Sequence, residues 1–145
     1  ADKFVDKAEV KVDFYNGQFI NVEFETEPLE DVFKHADFIT LHVPAQDGYV
    51  IGKDEFQLLK DGVGIVNCAR GGVIDEVALV EALDSEKVSF AGLDVFENEP
   101  TPEIQILMHP KISLTPHIGA ATLEAQDRIG IELAEQIISL LKNEK

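Results

Sequence analysis

This chain of 145 residues has no tryptophan, one methionine and one cysteine, and only 12 lysines and arginines against 28 aspartates and glutamates. The single cysteine, Cys68, excludes an internal disulfide and suits a reducing compartment. The formal charge of -16 repels nucleic acid and acidic membranes alike, so neither is expected as a partner. No apolar run is long enough to span a bilayer, and the charged N-terminus is unlike a secretory signal. Internal repeats and low-complexity tracts are also missing. These absences predict a soluble, cytoplasmic protein. The first residue is Ala1, which enters a polar stretch abruptly, as an excised piece of a longer chain would.

What remains is ordinary for a folded domain: 45% hydrophobic and 28% charged residues, in a length that fits one domain with a real core. From Glu27 onward helix and strand patterns alternate with short connections. In EPLEDVFKHA, Pro28 fits a first helical turn, and Leu29, Val32 and Phe33 share a face. DFITLHV is β-rich, KDEFQLLK reads as a helix, VGIVN as a strand, and DEVALVEALDS as a helix with Asp75 as its N-cap. VSFAGLDV is another strand, Pro100, Pro102 and Pro110 mark a loop, and ISLT is the last strand. A long helix then runs from about Ala121 to Leu141. Ile129, Leu133, Ile137, Leu140 and Leu141 form its apolar stripe, and Glu124, Arg128, Glu135 and Lys142 its wet one. Continuously apolar strands separated by helices predict an α/β fold, a parallel sheet with helices on both faces.

The first 25 or so residues differ. EVKVDFYNGQFINVEF alternates with period two around Asn16-Gly17, which signals a β-hairpin. A two-residue turn would leave Val12 facing Asn21. A three-residue loop, Tyr15-Asn16-Gly17 with the glycine left-handed, pairs Val12 with Ile20 and Val10 with Val22. The second register keeps apolar residues on one face and is preferred. The hairpin reads as a flap or packing element rather than a site.

Open parallel sheets bind ligands beyond their strand C-termini. Four polar stretches fall there: LHVP (41–44), CARGG (68–72), LDVFENEP (93–100) and TPHIGAAT (115–122). Their phase brings Arg70, Asp94, Glu99 and His117 to one edge. Each also has a plain alternative: a solvated turn arginine, loop polarity at Glu99, a buried histidine tied to a carbonyl. Gly62 and Gly64 do not make a dinucleotide fingerprint, because they precede a strand and no third glycine follows at the right offset. Cys68 has no dedicated base and is a poor nucleophile candidate. No metal site is expected.

Three motifs, NCARGGVIDEVALVEAL, AGLDVFENEP and LTPHIGAATLEAQDRIG, resemble in order and spacing the D-isomer-specific 2-hydroxyacid dehydrogenases, over about residues 27 to 142. The resemblance implies the second half of a Rossmann-type NAD-binding domain. Its parts would be a strand end and hairpin insertion over 1–26, the Rossmann half over 27–120, and a C-terminal helix over 121–145. It implies a catalytic set of Arg70, Glu99 and His117. It also implies NAD contacts from Val43, Pro44, Cys68, Ala69, Arg70, Asp94 and the His117–Ala120 segment, Gly119 and Ala120 included. ADKF resembles the end of a Rossmann strand, where Asp2 would bind the adenosine ribose hydroxyls and favour NAD. His117 would act as general acid and base, with Glu99 orienting its ring and favouring the imidazolium. Arg70 would hold the substrate carboxylate, while Gly71 and Gly72 allow close approach.

The implied substrate is a small 2-hydroxy or 2-keto acid, first of all 3-phosphoglycerate oxidised to 3-phosphohydroxypyruvate in serine biosynthesis, in a homo-oligomeric enzyme. The alternatives are a glycerate or hydroxypyruvate reductase and an NAD(H)-sensing corepressor of the same fold. The chain departs from the family's pattern in three respects. It holds no glycine-rich fingerprint, the AQDGYVIG loop is short, and the hairpin over residues 9–24 is an insertion. The fragment alone is expected to be inactive.

Overall fold

Asp75 stands where a helix must begin, and its carboxylate accepts the Ala78 amide, satisfying one of the orphan donors of the first turn. The same local chemistry recurs along the chain. A computed structural model describes residues 1–143. Along them run β1 (Lys7–Asp13), β2 (Phe19–Glu25), α1 (Leu29–His35), β3 (Phe38–Leu41) and α2 (Lys53–Leu58). β4 (Val63–Asn67), α3 (Glu76–Asp84), β5 (Val88–Leu93), α4 (Ile104–Met108), β6 (Ile112–Leu114) and α5 (Leu123–Asn143) follow.

β3, β4, β5 and β6 lie side by side in sequence order, all parallel. Right-handed crossovers between sequential neighbours put the connecting helices on one side of a sheet. Accordingly α1 touches α2, α2 touches α3, and α3 touches α4. Under that layer Ile39, Leu41, Ile65, Ala91 and Leu93 are buried together with Phe33, Phe56, Leu79 and Leu83. Each of these isoleucines, leucines and phenylalanines stabilises the fold by about 1.5–3 kcal/mol relative to exposure. On the opposite face Phe38 and Phe90 are 75% and 42% exposed, their rings 6.2 Å apart, close over Gly64. The parallel sheet with helices is thus present, and the described residues supply helical cover to one of its faces.

The hairpin adopts the predicted register, Val10 against Val22 and Val12 against Ile20. Its loop closes by a bond from the Phe14 amide to the Gln18 carbonyl (2.7 Å) and one from the Gly17 amide to the Phe14 carbonyl (3.0 Å), with Gly17 at φ 81°. Its apolar face stays open, since Val10, Val12, Ile20 and Phe24 are between 40% and 52% exposed. The packing role expected of it is therefore not realised within the described residues.

Several boundaries differ from the expectation, each for a local reason. The proline-marked loop contains the short helix α4: no proline interrupts Ile104–Met108, and Ile106 is drawn into the core at 1% exposure. Pro28 is the N-cap of α1 rather than a residue of its first turn. The long helix starts at Leu123, because the Thr122 hydroxyl accepts the Ala125 amide at 3.2 Å and caps it. Residues 144–145 of the expected helical segment lie outside the described residues. Among the described residues no other element packs against the predicted stripe of α5, and Ile129, Leu133, Ile137, Leu140 and Leu141 are all exposed. Although α5 has 21 residues, no helix among the described residues is long and apolar enough to cross a membrane.

Candidate active site

β4 ends at Asn67, which is 3% exposed and builds the turn that follows. Its Oδ1 accepts the Ala69 amide and its Nδ2 donates to the Arg70 carbonyl, both at 3.0 Å. A side chain thereby satisfies backbone groups that neither strand nor helix reaches. The two glycines after Arg70 have separate causes. A methyl group on Gly71 would come within 1.8 Å of the Phe96 carbonyl oxygen, and Gly72 has φ 73°. Arg70 is exposed, and its Nη1 donates to the Ala69 carbonyl at 2.6 Å, which leaves four of its five N–H donors for other partners.

Beyond β5, Asp94 is buried and acts as a clasp. Its carboxylate accepts the Thr115 hydroxyl (2.5 Å), the Ile118 amide (2.9 Å) and the Gly119 amide (2.8 Å). Burial pushes this carboxyl up, but those three bonds together hold it below the ordinary carboxylate range. The clasp shapes the loop that carries His117, whose φ of 55° lies in the left-handed region uncommon for a side chain-bearing residue. Held backbone of this kind is found at functional sites.

Glu99 completes the arrangement. Its Oε1 accepts the Phe96 amide at 2.9 Å, and its Oε2 lies 2.7 Å from Nδ1 of His117. A carboxylate only accepts, so Nδ1 carries the proton and Nε2 is the nitrogen that can exchange one. The His117 bond first, and the Phe96 amide second, hold the Glu99 carboxyl below its usual range. Glu99, His117 and Thr115 line a cleft of about 460 Å³ together with the apolar Phe96, Leu107 and Leu114. A second concavity of about 490 Å³ lies on the hairpin among Phe14, Gly17, Gln18, Phe19 and Ile20, with no ionisable side chain to do chemistry.

Of the residues singled out in the sequence, Asp94, Glu99, His117 and Gly119 are joined by direct bonds or through the Asp94 loop. Arg70 joins them through the Gly71–Phe96 backbone contact, not through its guanidinium. Val43 is partly buried and Pro44 exposed just past the end of β3, while Cys68 and Ala120 are exposed. Asp2 is not at a strand end, because residues 1–6 belong to no strand. Its carboxylate instead accepts the Phe4 and Val5 amides at 2.8 and 3.1 Å, folding the segment into a local turn. Sequence reasoning passed over Asn67, Thr115, Glu76 and Glu97. Asn67 carried a usable signal, an amide closing an apolar strand just before an arginine turn. The two glutamates carried none, since their bonds join residues 21 apart.

A carboxylate-held imidazole beside an apolar cleft, with a guanidinium turn on the same sheet edge, can move a proton next to a bound organic anion. Residues 4–119 match the family model described as "D-isomer specific 2-hydroxyacid dehydrogenase, NAD binding domain". A hydroxypyruvate reductase of Thermotoga maritima is 52% identical over 118 residues, covering 78% of this chain and 39% of that protein. A D-3-phosphoglycerate dehydrogenase of Methanocaldococcus jannaschii is 48% identical over 118 residues, covering 80% of this chain and 22% of that protein. Among solved structures, D-lactate dehydrogenase from Aquifex aeolicus, complexed with NAD and lactic acid, superposes with a TM-score of 0.64 at 31% identity. That likeness covers 81% of this chain and 40% of the other. The chain therefore spans well under half the length of these relatives. It belongs to the D-isomer specific 2-hydroxyacid dehydrogenases, through their NAD binding domain.

Proposed function

We propose that the chain is the second half of the NAD-binding domain of a dehydrogenase acting on a D-2-hydroxy acid, with Arg70, Glu99 and His117 as its catalytic set. The first choice of reaction is oxidation of 3-phosphoglycerate to 3-phosphohydroxypyruvate, supported by the several phosphoglycerate dehydrogenases among its relatives. Hydroxypyruvate reduction is the second reading, favoured by the 52% identity to the Thermotoga enzyme. The observation that carries the proposal is the 2.7 Å Glu99–His117 pair at the cleft.

The residues suit one end of a dinucleotide. Backbone past β3 at Val43 and Pro44, the Cys68–Arg70 turn and the Gly119–Ala120 segment offer peptide donors and acceptors at neighbouring strand ends. No Gly-x-Gly-x-x-Gly occurs in the sequence, so these residues fit the nicotinamide half and not the pyrophosphate. Bound NAD supplies the hydride acceptor or donor. His117 takes the substrate hydroxyl proton at Nε2 during oxidation and returns it to the carbonyl oxygen during reduction. Glu99 holds Nδ1 and keeps the ring turned, and Arg70 grips the substrate carboxylate through paired N–H donors.

The test is Glu99→Gln in the complete enzyme, with kcat/KM followed against pH in both directions. The bond to His117 at 2.7 Å is the largest cause holding the Glu99 carboxyl low, so the charge of Glu99 lies directly against the ring. Because a neighbouring negative charge favours a cation, its removal is expected to move the pH limbs of both directions toward acid. Reduction, which needs the protonated ring, then fails at lower pH, and oxidation persists further into acid. Both limbs move the same way because they report one group. If neither moves while His117→Ala abolishes turnover, Glu99 leaves the catalytic set.

A further inference from the structure

Two glutamates outside this set clasp each other's backbone. The Glu76 amide, first in α3, donates to Glu97 Oε1 at 3.0 Å, and the Glu97 amide donates to Glu76 Oε1 at 2.8 Å. Glu76 is 6% exposed, and its Oε2 is buried with no hydrogen-bond partner among the described residues. Burial pushes this carboxyl above its ordinary range; the Glu97 amide draws it back, and the charges of Glu97, Glu103 and Glu99 raise it further. An interior carboxyl with one oxygen left unpaired is costly to fold, so packing alone does not account for a glutamate here.

The clasp acts on one peptide plane. The Glu97 N–H and the Phe96 C=O belong to the same rigid unit. Glu76 holds its N–H side, and on its C=O side the oxygen lies against Gly71, so close that a methyl group there would sit 1.8 Å away. One residue back, the Phe96 amide holds Glu99 Oε1 at 2.9 Å, and Glu99 Oε2 reaches His117 at 2.7 Å. One arm thus leads from this backbone to the imidazole, and the other to the turn that presents Arg70.

We propose that Glu76 is a positioning residue: by fixing the Phe96–Glu97 peptide it sets both the carboxylate that orients His117 and the seat of the Arg70 turn. This rests on the assignment of Arg70, Glu99 and His117 made above. Glu99 Oε2 lies 2.7 Å from His117 Nδ1, so displacement of Glu99 is felt directly at the ring.

The experiment compares Glu76→Ala, Glu76→Gln and Glu99→Gln in the complete dehydrogenase, by kcat/KM against pH in both directions. Glutamine keeps an oxygen acceptor for the Glu97 amide while removing the charge, so efficiency within about threefold of wild type and unmoved limbs are expected. Alanine frees the peptide, and kcat/KM falls by roughly tenfold to a hundredfold, the scale of a misplacement of about 1 Å. Its pH limbs also move toward acid, as in Glu99→Gln. Three results overturn the proposal: wild-type behaviour of Glu76→Ala, a loss without limb movement, or equal limb movement in Glu76→Gln, which would mark a direct effect of charge. Unmoved limbs in Glu99→Gln instead bring down the catalytic assignment itself. If Glu76→Ala does not fold, hydrogen exchange at the Phe96 and Glu97 amides of the wild-type enzyme decides. Protection like that of the β5 amides is expected, and exchange at the rate of an open loop overturns the idea.

Discussion

At the residue scale, Arg70 shows how a charged side chain is held without being buried. Asn67 stitches its turn, Gly71 lets that turn lie against Phe96, and Gly72 supplies the left-handed step. The guanidinium rests on the Ala69 carbonyl with most of its fork unengaged. A planar fork grips a carboxylate with two parallel bonds, whereas a lysine offers the same charge as a point. Arg70→Lys in the complete enzyme is expected to lower kcat/KM by at least about tenfold, roughly 1.4 kcal/mol of transition-state stabilisation. The decisive measurement is steady-state kinetics at saturating NAD, and near-wild-type efficiency would return Arg70 to the status of a surface-turn charge.

At the element scale, the sheet and the hairpin are stabilised very differently. β4 lies between β3 and β5, and Val63 and Ile65 are at most 1% exposed. The hairpin is a separate two-stranded sheet with its apolar face open. An isolated two-stranded ribbon is marginal in water, since few buried contacts offset the entropy of ordering it. Hydrogen exchange on this chain should therefore show β1 and β2 amides exchanging through local opening, while β4 and β5 amides wait for global unfolding. Equal protection in the hairpin and the central strands would mean that the face formed by Val10, Val12, Ile20 and Phe24 is covered in solution.

At the scale of the whole molecule, titration should displace the stability maximum toward acid. Asp94 and Glu99 have lowered folded values, so their contribution is present above the unfolded carboxylate range of about 3.9–4.3 and is lost as pH falls through those lower values. Glu76 is raised, so its contribution is full below about 4.3 and is lost as pH rises through its folded value. The charge of -16 at neutrality adds self-repulsion that protonation relieves. Tm should accordingly rise as pH falls from neutrality toward the unfolded carboxylate range, then drop below about pH 4. Glu76→Gln should flatten the rise. Calorimetry across that range tests this, and a Tm that falls steadily from pH 8 to pH 5 would contradict it.

Much of this protein was legible in its sequence because the deciding interactions are short-ranged. The hairpin register follows from alternation around Asn16-Gly17, the strand Val63–Asn67 from an apolar run between turns, and the start of α3 from a capping aspartate three residues from the amide it holds. The motifs at the strand ends likewise placed Glu99 and His117 at one edge of the sheet, where their side chains meet. Local pattern could not say which partners the chain would bring from afar. Asp94 captures Ile118 and Gly119, and Glu76 meets Glu97, across 21 to 25 residues. Gly71 is needed because Phe96 arrives against it, and Asp2 forms a turn because, among the described residues, no neighbouring strand takes up its segment. The stripe of α5 was visible as a period, but a period states only that a face is apolar. Whether another surface covers that face depends on the packing of distant elements, and only the tertiary structure decides it.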